Sequence, residues 1–149
     1  MISKIIVPVD GSATALKAAK YAIELAKLVS AQITLVSVLD SGPFAGATVA
    51  ASEAPRHLLE PLSDYLKQAA ETYMAEIEAL GKETGIEVKK TIRFGHPVEE
   101  ILKEAVKSKA DLIVIGSHGK SAFEAVFLGS VAFGVLHKDS KIPVLVVRK

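Results

Sequence analysis

Lys4-Ile-Ile-Val-Pro-Val-Asp10, followed by Gly11-Ser12 and a helical pattern, decides the fold class. Its apolar residues are continuous rather than alternating, as in a strand buried on both faces. Asp111-Leu-Ile-Val-Ile-Gly116 reads the same way. Gln32-Ile-Thr-Leu-Val-Ser-Val-Leu39 and Pro143-Val-Leu-Val-Val147 add two more strands. A less buried fifth strand carries Ile86, Val88, Lys90, Ile92 and Phe94 on one face.

Helical patterns separate these strands. From Ala13 to about Ser30 the positions Ala15, Leu16, Ala19, Ala22, Ile23 and Ala26 form one apolar stripe, with Ser12 or Thr14 available as N-cap. A long helix is expected from about Leu58 or Pro61, with Leu62, Leu66, Ala69, Tyr73, Ile77 and Leu80 inward and Gly85 just past its end. Tyr21, Tyr65 and Tyr73 are assigned to packing. Pro97 opens a helix carrying Val98, Ile101, Leu102, Ala105 and Val106, and Ser130 to His137 forms a short one. Phe44 to Pro55, rich in Ala, Gly and Ser, reads as a loop. Strands alternating with helices predict one α/β domain over residues 1–149, doubly wound around a mostly parallel sheet.

Composition narrows the function. The chain has 149 residues, no cysteine and a net charge of +1 from 18 basic and 17 acidic residues. Disulfides and cysteine-ligated metals are excluded. No basic block suggests nucleic acid, and no apolar run is long enough to span a membrane as a helix. A cytoplasmic location is expected.

In a doubly wound sheet, ligands bind beyond the carboxyl ends of the strands where the winding reverses. Two strand ends carry suitable residues: Pro8-Val9-Asp10-Gly11-Ser12, and Gly116-Ser117-His118-Gly119-Lys120-Ser121, with Gly129-Ser130 opening the next helix. Spaced glycines, a helix N-terminus and the Lys120 charge read together as a phosphate cradle; tight turns alone would also explain the glycines. Asp10 reads either as a partner for a ribose hydroxyl or base edge, or as a turn former. Val114 stands where a P-loop ending in Gly119-Lys120-Ser121 needs glycine, and no dinucleotide fingerprint follows the first strand. The scattered His57, His96, His118 and His137 suggest no zinc site. No catalytic residue or metal ligand is assigned.

Ile5-Ile-Val-Pro-Val-Asp-Gly-Ser12, Ile33 to Leu39, Gly95-His-Pro97 and Asp111 to Arg148 resemble the universal stress protein family across essentially the whole chain. Gly116-x2-Gly119-x9-Gly129-Ser130 looks like that family's ATP-binding signature. The resemblance implies strand order 3-2-1-4-5, adenine near Asp10 and Val38 with Pro8 and Val9 on the same wall, and ribose and phosphates over Gly116, Ser117, Gly119, Gly129, Ser130 and Val131. His118 and Lys120 belong to the same loop. Many ATP-binding relatives have Arg at the position of Lys120 and Gly at that of Ala122, and Glu124 adds a negative charge, which bears on affinity. ATP, with or without Mg2+, is expected as a regulatory ligand with little or no hydrolysis, and residues 142–147 as a homodimer edge. An ATP-using enzyme of a related fold and a dimeric scaffold without nucleotide stand as alternatives.

Overall fold

The computed structural model describes residues 1–40, 56–119, 128–138 and 140–149. The expected Phe44–Pro55 loop, Lys120, Ala122 and Glu124 lie outside the described residues. The elements run β1 (Lys4–Pro8), α1 (Ala13–Val29), β2 (Gln32–Asp40), α2 (Arg56–Thr84), β3 (Val88–Gly95), α3 (Pro97–Lys107), β4 (Leu112–Gly116), α4 (Ser130–His137) and β5 (Val144–Val147). The five strands form one parallel sheet in the order β3-β2-β1-β4-β5. The chain winds outward from β1 to β3, then returns to place β4 on the other side of β1. The reversal therefore falls between β1 and β4, as expected.

Alternation along the central strands supplies both cores. Ile5 and Val7 point with Ile33, Leu35 and Val114 toward α1 and α2, where Ala18, Ala19, Ala22 and Ala26 are wholly covered. Ile6, Val36, Ile113 and Ile115 point the other way, against Val98, Ile101 and Ala105 of α3 and Ala132 and Val135 of α4. Small side chains on α1 let that helix lie close to the sheet, and each fully buried Ile contributes on the order of 2 kcal/mol. Ser12 is the N-cap of α1: its hydroxyl accepts the Ala15 N–H at 3.1 Å. Helix α2 ends in a Schellman turn, with Gly85 at φ +80° and its amide and that of Ile86 donating to Lys82 and Gly81.

Several positions differ from the sequence reading. The buried stripe of α2 is Ala70, Met74, Ile77 and Gly81, whereas Leu62 is exposed and Tyr73 and Leu80 are half-buried. Gly81 is required there: a Cβ would come within 2.3 Å of the Val88 side chain. Tyr21, Tyr65 and Val106 are exposed, so only Tyr73 of the tyrosines packs inward.

Candidate functional site

At the carboxyl edge of the sheet, the ends of β1 and β4 separate because their connections leave toward opposite faces. The gap is a cleft of about 440 Å³, within the range of small-molecule sites. Pro8, Val9 and Asp10 line it from β1, Val36, Val38 and Asp40 from β2, and Gly116 to Gly119 from β4 and its following loop. Gly129, Ser130 and Val131 close it from the start of α4. Every candidate site residue among the described ones therefore reaches a single cleft.

Local bonding holds this edge. The Val9 amide donates to the Val36 carbonyl at 2.9 Å, extending the pairing of β1 beyond Pro8. Gly11 then turns at φ +82°, and Asp10 Oδ1 accepts the Ser12 N–H at 2.9 Å. Asp10 is thus an Asx-turn former whose carboxylate also borders the cleft. On the other wall, the buried Ser117 donates its amide to the Val147 carbonyl at 2.8 Å, and its own carbonyl accepts the Gly129 N–H at 2.6 Å. That second bond ties the start of α4 to the end of β4. The Ser117 hydroxyl is hydrogen-bonded to Nδ1 of the adjacent His118 at 2.7 Å.

The three spaced glycines have a packing cause that spacing did not reveal. A Cβ at Gly116 would lie 3.0–3.1 Å from Thr14 in the first turn of α1. One at Gly129 would lie 3.1 Å from the Ser117 carbonyl oxygen and 3.2 Å from the His118 Cα. One at Gly119 would lie 2.8 Å from Asp10 Oδ2. Each glycine lets a segment that lines the cleft lie close against another part of the chain.

The chemistry of the lining is divided. Val9, Val36, Val38, Ile101 and Ile115 supply an apolar wall, suited to a flat apolar group. Asp10 and Asp40 supply carboxylates that can accept from hydroxyl or amino groups. Helix α4 begins with Gly129 as N-cap, which has no side chain to bond its first amides, and unpaired donors and a positive dipole end at a helix start suit an anion. Among the described residues the lining contains no Lys or Arg, and no group of three or more metal-ligating side chains is present.

Val36, Asp40, Pro97, Ile101, Ile115 and Ala132 were not read from sequence as lining residues. The period-2 alternation of β2 marks Val36 as sharing a face with Val38. Pro97, Ile101 and Ala132 join them only through the placement of α3 and α4. Behind the cleft, Tyr73 of α2 is hydrogen-bonded to the buried Ser37 hydroxyl, with its own hydroxyl 3.5 Å from the Val9 carbonyl. Burial pushes the Tyr73 phenol above its ordinary value, the Ser37 bond opposes this, and the negative charge of Asp10 adds to the rise.

The chain matches the model of the Universal stress protein family over residues 1–148. It is 38% identical to Universal stress protein MJ0531 of Methanocaldococcus jannaschii over 149 residues, covering all of this chain and 84% of that protein. The solved structure of the hypothetical protein MJ0577 from the same organism is similar at a TM-score of 0.85 and 33% identity, covering 100% of this chain and 97% of that one. A universal stress protein solved in complex with cAMP is similar at a TM-score of 0.66 and 25% identity, over 99% and 97% of the two chains. Matching that family model along nearly its whole length, the chain belongs to the universal stress protein family.

Proposed function

We propose that the cleft binds an adenine nucleotide, with ATP as the ligand, and that the nucleotide acts as a regulatory ligand in a cytoplasmic stress response. The observation that carries this reading is the meeting of three features at the winding reversal: the Asp10 carboxylate, the glycine-bearing end of β4 and the α4 N-terminus without a side-chain cap. The relative solved with cAMP supports the adenine-nucleotide class. Adenine would lie against Val9 and Val38, with Pro8 on the same wall. Asp10 would accept from the ribose or the base edge. The phosphates would lie over Gly116, Ser117 and Gly119 and receive the amides of Ser130 and Val131, with His118 beside them. Where Mg2+ accompanies the nucleotide, the phosphates themselves would hold it in large part.

A regulatory ligand must bind two states of the protein unequally. A homodimer through residues 142–147 would give the bound and free states a surface on which to differ. Strand β5 supports this, since it is the sheet edge, paired with β4 on one side, with Val144, Leu145 and Val146 half-buried.

Overnight incubation with ATP, removal of free ligand and chromatography of the bound nucleotide tests the reading. The expected result is close to one ATP per chain with little ADP. Many turnovers would replace it with an ATP-using enzyme, and no retained nucleotide would leave a scaffold.

A further inference from the structure

A second groove, of about 340 Å³, opens at the opposite, amino-terminal edge of the sheet, on the face that α3 covers. Its floor is the start of β1, β2 and β3. Strands of a parallel sheet buried on both faces are normally apolar, yet this floor presents half-buried Gln32, Thr34 and Thr91. Around it stand Lys4, Lys89, Lys107 and Lys109, the last two from the end of α3 and the turn after it. The whole chain has a net charge of only +1, so four lysines lining one groove are a local concentration, not the average of a basic protein.

Glu104 also lines the groove, but its carboxylate accepts Arg93 Nη1 at 2.7 Å. Asp111 accepts the Ser3 and Lys4 amides, and Glu87 lies 3.9 Å from Lys89 as an exposed pair. The carbonyls ending α3 are taken up by Ser108, Lys109 and Ala110: Glu104 O accepts the Ser108 amide and hydroxyl, Val106 O the Lys109 amide, and Ala105 O the Ala110 amide. Lys4, Lys107 and Lys109 have no carboxylate partner among the described residues. Lys109 stands at φ +55° in a turn of the Schellman form, the place that Gly85 takes at the end of α2. A left-handed residue with a side chain is disfavoured relative to glycine, and here that side chain carries one of the four charges.

We propose that this groove binds a small polyanion carrying two or more phosphate groups, gripped by the four lysines and hydrogen-bonded by Thr34, Thr91 and Gln32. Several phosphates are called for because the four lysines reach the groove from β1, β3 and the end of α3, and lysine acts on phosphate as a point charge. A small molecule is favoured over a nucleic acid because the charge is confined to a walled groove with polar groups at its floor, and a net charge of +1 gives little long-range attraction.

Calorimetric titration of the full chain with inorganic tripolyphosphate at low salt tests the proposal, alongside the variant Lys107→Gln/Lys109→Gly. The wild type should bind close to one equivalent, and the variant about 2- to 30-fold more weakly, the order expected for losing two exposed charge contacts. Glycine suits the left-handed position, so the variant should melt no lower than wild type, and its affinity for adenosine should be unchanged. The loss is therefore read independently of whether the carboxyl-edge cleft binds nucleotide. No binding by the wild type, or equal binding by the variant, would overturn the proposal. Retention of heparin without tripolyphosphate binding would also overturn it, in favour of an open surface for acidic macromolecules.

Discussion

Gly119→Ala isolates the contact between the β4 loop and Asp10. The added Cβ would lie 2.8 Å from Asp10 Oδ2 and 3.9 Å from Asp10 Cγ, so the carboxylate must turn away. Asp10 is exposed and its bond to the Ser12 amide is local, so the adjustment should cost the fold about 0.5–1.5 kcal/mol, the order of one off-rotamer side chain. For a chain of this length that lowers Tm by roughly 2–5 °C. Binding should suffer more. A charge-assisted hydrogen bond from Asp10 to a bound nucleoside contributes about 1.5–3 kcal/mol, and its loss weakens adenosine about 10- to 150-fold. Asp10→Ala should lose a similar amount. Because both changes remove the same interaction, Asp10→Ala/Gly119→Ala should bind adenosine no more weakly than the worse single variant. Calorimetry of the four proteins closes the cycle. Losses that add to within about 0.5 kcal/mol would show that the two residues act separately, and unchanged adenosine binding by Gly119→Ala would refute the reasoning outright. ATP separates a second effect: any loss beyond that for adenosine reports crowding of the phosphates, and Gly119→Val should abolish ATP binding.

Arg93 of β3 donates to Glu100 and Glu104 of α3 at 2.7 Å each, and its bond to Glu100, with help from Lys103, holds the Glu100 carboxyl below its ordinary value. The stability this gives is full above pH 4.5 and fades as pH falls through the lowered folded value. Arg93→Met should destabilise most at neutral pH and flatten the acid limb, and melts from about pH 7 down to pH 3 that run parallel to wild type would contradict this. Tyr73→Phe strips the buried Ser37 hydroxyl of its partner and should cost about 1–3 kcal/mol by urea denaturation. Since the Tyr73 pKa is raised, wild-type stability should also fall as pH climbs from 10.0 through the folded value, a loss absent from Tyr73→Phe in alkaline melts. In β5, the Pro143 and Val147 carbonyls accept from Ile113 and Ser117, so by strand alternation the Val146 N–H points to the free edge. Val146→Pro should therefore spare the pairing with β4 yet block a second copy. Light scattering should give twice 15.8 kDa for wild type and 15.8 kDa for the variant, and a monomeric wild type would remove the dimer.

The β-α alternation, the five strands and a mostly parallel sheet were legible from residue order, and the strand order that sets the reversal between β1 and β4 came from the family resemblance. The reason is that doubly buried strands such as Ile5–Val7 and Leu112–Ile115 must be continuously apolar, whereas α1 must expose one side. The two strand ends that meet at the cleft were legible too, because topology sends ligand sites to the reversal. Tertiary structure decided the rest. Arg93 and Glu104 look in sequence like solvated charges on an outer strand and a helix surface, and only the docking of α3 on β3 makes them a partly buried pair. The stripe of α2 keeps Ile77 but is centred on Ala70, Met74 and Gly81, one position from the expected Ala69, Tyr73 and Leu80, and Gly81 lies where only glycine fits against Val88. Gly119 could be read as a turn former or a phosphate approach, but its contact with Asp10 joins residues more than a hundred positions apart. The lysine groove has no sequence signature for the same reason: Lys4, Lys89 and the pair Lys107 and Lys109 lie on three separate segments, and charge becomes a site only where the fold brings its carriers within reach of one ligand.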